Sequence, residues 1–96
     1  MKYIYDIILH NPEPVTIGRA CLLADMIQGF IEDGSSVQGV GLGESHNDVK
    51  ITIETIFKLD DLFTAILDNR GVLNYKDFSI YYSEGYSKVG QVGYGV

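Results

Sequence analysis

VQGVGLGESHNDVKITIETI, residues 37–56, is the stretch whose reading decides the fold. Its second half alternates with a period of two. Val49, Ile51 and Ile53 fall on one side and Lys50, Thr52 and Glu54 on the other, the pattern of a strand with one buried face. Its first half, Val37 to Glu44, also reads as a strand, with Val40 and Leu42 on one side and Gly39, Gly41 and Gly43 on the other. Ser45-His46-Asn47-Asp48 between them has the composition of a turn. Two strands joined so closely make a hairpin, and the segments that flank the hairpin determine the sheet it belongs to.

Upstream lies a helical pattern from Ile17 to about Asp33, with Thr16 placed to cap it. At 100° steps Ile17, Ala20, Cys21, Leu23, Ala24, Ile27, Phe30 and Ile31 share one arc, with Met26 at its margin and Leu22 outside it. The arc is wider than the ~100° stripe of an ordinary surface helix. Asp33-Gly34-Ser35-Ser36 ends the pattern. Before it, Asn11-Pro12-Glu13-Pro14 is a stiff connector, and Tyr3 to Leu9 is a strand apolar on both faces, suited to a central position. Downstream, Leu59, Leu62, Phe63, Ile66 and Leu67 predict a second helix over about Asp60 to Asn69, with Asp60 and Asp61 in its first turn and Gly71 as its stop. Asp77 to Ser83 alternates Phe78, Ile80 and Tyr82 against Ser79 and Tyr81, a fourth strand. In residues 84–96, Val92, Tyr94 and Val96 alternate after a Glu84-Gly85 turn, which predicts a possible fifth strand hairpinned on the fourth. The order strand, helix, strand, strand, helix, strand predicts one α+β domain over residues 1–96. Its expected form is a ferredoxin-like βαββαβ sandwich: an antiparallel sheet with two helices on one face.

Composition narrows the function. The chain has 96 residues, 46% hydrophobic and 11% aromatic, enough for one modest core. Seven basic residues against 13 acidic give a net charge of −6, which opposes a protein built to grip phosphate backbones and favours a basic protein partner. The asymmetry is local: residues 1–48 sum to 2 − 7 = −5 and residues 49–96 to 5 − 6 = −1. The single cysteine, Cys21, allows no intramolecular disulfide, and with no apolar run of ~18 residues and no leader pattern the expectation is a cytoplasmic protein that does not enter membranes.

Val37-Gln38-Gly39-Val40 resembles the phosphate-binding string of acylphosphatases, in which V-Q-G-V is followed by an aromatic residue and an arginine. The resemblance covers about six residues and implies the same fold and a minor hydrolase alternative. It departs where the phosphate would be held, because Leu42 and Gly43 stand at the aromatic and arginine positions and the string follows the first helix rather than the first strand. Glu44, His46 and Asp48 are ordinary turn residues rather than a metal set. His10 has no sequence-local acid or nucleophile partner, and Cys21 is placed in the core. Related sheets stack RNA bases on open-face aromatics, but here Ile4 and Ile8 occupy the central-strand positions. No catalytic residues, metal or cofactor are expected.

The contact residues expected from this topology are Ile4, Ile8 and Tyr81, which face away from the helices, and Gly39, Gly41 and Gly43, a strip without side chains along an edge strand. The resulting expectation is a small acidic non-enzymatic protein-binding module, an inhibitor or adaptor and a homodimer. In size and charge it is similar to phage anti-defence and toxin-immunity proteins. The alternative is a small-molecule sensor resembling ACT-type regulatory domains, with its ligand near the connector from Asn11 to Thr16.

Overall fold

The computed structural model describes residues 2–31, 35–42 and 46–83. Its elements are β1 (Tyr3–His10), α1 (Ile17–Phe30), β2 (Ser36–Leu42), β3 (Asp48–Thr55), α2 (Leu59–Asp68), α3 (Arg70–Leu73) and β4 (Asp77–Tyr82). The four strands form one sheet in the order β2-β3-β1-β4, antiparallel at every pairing. With the helices on one side, this is the expected ferredoxin-like α+β arrangement. The expected fifth strand lies outside the described residues.

Alternation on the two central strands creates the core. Tyr5, Ile7 and Leu9 of β1 pair with Ile53, Ile51 and Val49 of β3, and all six are fully buried beneath the helices. Ile80 of β4 continues the row beside Ile7. Ala20, Leu23, Ala24 and Ile27 of α1, and Leu62 and Ile66 of α2, close over it. Each fully buried Leu or Ile contributes about 1.5–3 kcal/mol of apolar transfer, so the strand–helix layer is what holds the domain together.

Thr16 caps α1 as expected, its backbone extended and its Oγ1 accepting from the Arg19 amide at 3.2 Å. The helix nevertheless departs from the predicted arc in two places. Ile17 is 56% exposed and Cys21 is exposed, because the buried stripe centres on Ala20, Leu23, Ala24 and Ile27 and leaves the arc's far edge in solvent. α1 gives way at Phe30, with the Ile31 amide bonded back to the Ile27 carbonyl. The expected stop at Asp33-Gly34 lies outside the described residues.

Gly71 does not end the second helical region. After Asn69, whose side chain donates to the Ala65 carbonyl at 2.7 Å, the chain makes one further turn, α3, with Gly71 inside it. Burial of Leu73 and a hydrogen bond from the buried Tyr75 hydroxyl to the Ile66 carbonyl (3.0 Å) draw the chain through that turn. The stop is Asn74, in the left-handed conformation at φ 54°, which asparagine tolerates better than most residues.

Strict alternation would place Val37 beside Gly39. A register shift between them, with Gln38 unmatched in β3, instead sets Val37 opposite Ile53 and Val40 opposite Ile51, both on the helix side. This bulge lets one edge strand turn both half-buried valines toward the helices and still turn its glycines outward.

Candidate interaction face

The face of the sheet opposite the helices is a lattice fixed by register. One row crosses it as Gly39, Thr52, Asp6 and Tyr81, the next as Gly41, Lys50, Ile8 and Ser79. Ser36, Glu54 and Ile4 make a third. Four of the six expected contact residues are therefore brought close: Ile4 and Ile8 on β1, Tyr81 on β4, and Gly41 in the row of Ile8. Gly39 lies in the row of Tyr81, with β3 and β1 between them. Gly43 lies outside the described residues.

The face is not apolar throughout. Ile4, Ile8 and Tyr81 are half-buried, and Asp6 stands between the two isoleucines. Asp6 is only 8% exposed although no described helix covers it. Its Oδ1 accepts from the Thr52 hydroxyl at 2.6 Å, and the Lys50 Nζ lies 3.7 Å from its Oδ2. A 3.7 Å pair between Lys2 and Glu54 borders Ile4. Short-range polar pairing thus keeps a desolvated carboxylate satisfied at the middle of the face.

At one end of the face His10 Nδ1 meets Asp48 Oδ1 at 2.8 Å, the partner that sequence order did not show. Asn11 and Asn47 lock the same corner. The Asn11 amide and side chain both donate to the Asn47 carbonyl, at 2.8 and 3.1 Å, and the Asn47 side chain donates back to the Asn11 carbonyl at 3.2 Å. Among the described residues no group of three His, Cys, Asp or Glu side chains is arranged to hold a metal ion. Glu44, from the turn trio, lies outside the described residues, and Asp48 begins β3.

Gly39 and Gly41 face open space: a Cβ built on either would meet nothing within 4 Å. Together they leave a smooth margin on β2, an edge strand. Sequence reasoning missed a second population of apolar surface. Leu22 on α1, Leu67 on α2 and Val72 on α3 are about half exposed, all on the helical side of the molecule. Two clefts also lie off the open face. One of about 230 Å³ is lined by the β1–α1 connector, Arg19 and Asn74, and one of about 370 Å³ by Phe57 and the Asp61–Asp68 flank of α2.

No protein-family model matches the chain. No match is found among the curated proteins. The solved structure of a protein called PH0061 is similar at 17% identity and a TM-score of 0.42, over 85% of this chain and 52% of that one, so this chain spans about half its length. No helix among the described residues is long and apolar enough to cross a membrane.

Proposed function

We propose that this chain is a small acidic, non-enzymatic protein-binding module that acts as an inhibitor or adaptor through its open sheet face and the β2 edge. One observation carries the reading: Ile4, Ile8 and Tyr81 share a face that no described helix covers, beside glycines whose margin is empty. A solvated antiparallel face ordinarily carries polar residues at such positions. Two isoleucines and a tyrosine on adjacent strands supply the apolar part of a modest interface, with the Asp6–Lys50 pair among them and the Lys2–Glu54 pair at its border. The net charge of −6 favours a basic partner and speeds encounter with it. Homodimerisation through the same face is part of the proposal.

The test places a photo-crosslinking amino acid at Ser79, on the open face, and at Asp25, exposed on α1. Capture of a defined protein, or of a second copy, from Ser79 and its loss on Ile4→Asp or Ile8→Asp supports the reading. Capture from Asp25 alone, unchanged by those substitutions, removes it.

A second reading, a small-molecule sensor, is favoured by the cleft of about 230 Å³ at the connector from Asn11 to Thr16, where that reading puts its ligand. A panel of amino acids and nucleotides that leaves the melting temperature unmoved removes it.

A further inference from the structure

We propose that the open face holds a cationic side chain of its partner, specifically an arginine, over Asp6. This rests on the protein-binding reading above and names the chemical group that the face would recognise.

Asp6 occupies the centre of the face with its side chain 12% exposed. Its two oxygens are unequal. Oδ1 is taken by the Thr52 hydroxyl at 2.6 Å. Oδ2 accepts no hydrogen bond from the described residues, and its counter-ion, the Lys50 ammonium, stands 3.7 Å away with a side chain 51% exposed. A carboxylate largely removed from water, with one loosely held counter-ion, gains most from a further charged donor.

The surroundings select the donor. Tyr81 is the register partner of Asp6 on β4, so an aromatic ring and a carboxylate flank one position. A guanidinium is planar, weakly hydrated, stacks on aromatic faces and donates through several N–H groups, whereas an ammonium is a compact, strongly hydrated point charge. Ile4 and Ile8, two residues to either side of Asp6 on the same face, provide apolar walls for the methylene stem. The net charge of −6 attracts such a partner from a distance.

The test uses the full chain, isotopically labelled, and three blocked peptides, Ile-Thr-Arg-Thr-Ile and its central Gln and Glu counterparts, followed by amide chemical shifts. The arginine peptide is expected to move Ile4, Asp6, Ile8, Thr52 and Tyr81 saturably, the glutamine peptide to bind about tenfold more weakly, and the glutamate peptide not at all. Asp6→Asn is expected to bring the arginine peptide down to the level of the glutamine peptide. Tyr81→Leu, which keeps the carboxylate, serves as the second variant and is expected to weaken the arginine peptide severalfold. Binding centred on Ile4 and Ile8 but indifferent to the central residue overturns this inference and leaves the protein-binding reading standing. Absence of any shift at millimolar peptide overturns it as well. So do shifts that follow protein concentration alone, which would put a second copy on the face, and Overhauser contacts from Ile4 or Ile8 to residues 84–96, which would fill it from within. Crosslinks confined to Asp25 in the experiment above overturn both.

Discussion

Thr52 on β3 donates its hydroxyl hydrogen to the carboxylate of Asp6 on β1 over 2.6 Å, directly across the strand pairing and on the face away from the helices. The bond lets an aspartate with 8% exposure stand between two isoleucines at the centre of a sheet. Removing the donor and keeping the shape tests how much it matters. Thr52→Val is expected to lower unfolding stability by about 1–3 kcal/mol, the range for leaving a charged acceptor short of a partner. Thr52→Ser keeps the hydroxyl and is expected to recover most of that. Urea unfolding of both variants measures the difference. Equal stabilities for Thr52→Val and the parent would show that the carboxylate draws its support elsewhere.

Gly41 faces open space, opposite Lys50, so a larger residue meets no clash there. Gly41→Val is expected to keep the unfolding stability or raise it, by up to about 1 kcal/mol, because valine suits a pleated strand better than glycine. The same substitution is expected to weaken binding of any partner that lies along the β2 margin. Full binding in a stably folded variant would show that the glycine margin is incidental.

The Tyr75 phenol is held above the ordinary tyrosine range, first by burial, with Asp77 adding to the rise and Arg70 opposing it. Its hydroxyl donates to the Ile66 carbonyl at 3.0 Å, a bond that the phenolate cannot make. The sign follows from linkage. The folded state keeps this proton longer than the unfolded chain, so the contribution is fully present below pH ~10 and is lost as pH rises through the higher folded value. Absorbance titration near 295 nm is expected to lose one late-titrating phenol on Tyr75→Phe. A native titration in which Tyr75→Phe removes only a tyrosine of ordinary pKa would contradict the burial argument.

Cys21 projects from α1 into solvent. A thiol reagent such as dithionitrobenzoate is expected to modify it stoichiometrically in the native protein, at a rate that denaturant raises little. Protection in buffer and release in urea would return Cys21 to the core.

The fold was legible because the local signals agreed with one another. Val49, Ile51 and Ile53 alternate without exception, Thr16 stands where a cap is needed, and the element order admits few topologies. Where local signals were ambiguous, packing decided. Cys21 and Ile17 are apolar enough for the core and lie on the margin of the arc, yet the side of α1 that meets the sheet passes them by. Gly71 is the residue most apt to end a helix, but Leu73 and Tyr75 needed one more turn to reach the interior. The outward orientation of Ile4, Ile8, Gly39, Gly41 and Tyr81 could be read from parity alone. The polar pairs that divide them could not, because Asp6 and Thr52 are 46 residues apart and Asp48 is 38 from His10.

Periodicity, capping and turn chemistry are properties of neighbouring residues, so the sequence by itself determined the kind and order of the four strands and two longer helices and the parity of the strand positions outside the β2 bulge. Which cross-strand neighbours meet depends on register, and register follows from how all the strands settle against the helices together. Only the tertiary structure therefore decided that a carboxylate, a hydroxyl, an ammonium and a phenol ring share the centre of the face opposite the helices, and that β2 slips by one residue at Gln38 to turn Val37 toward them.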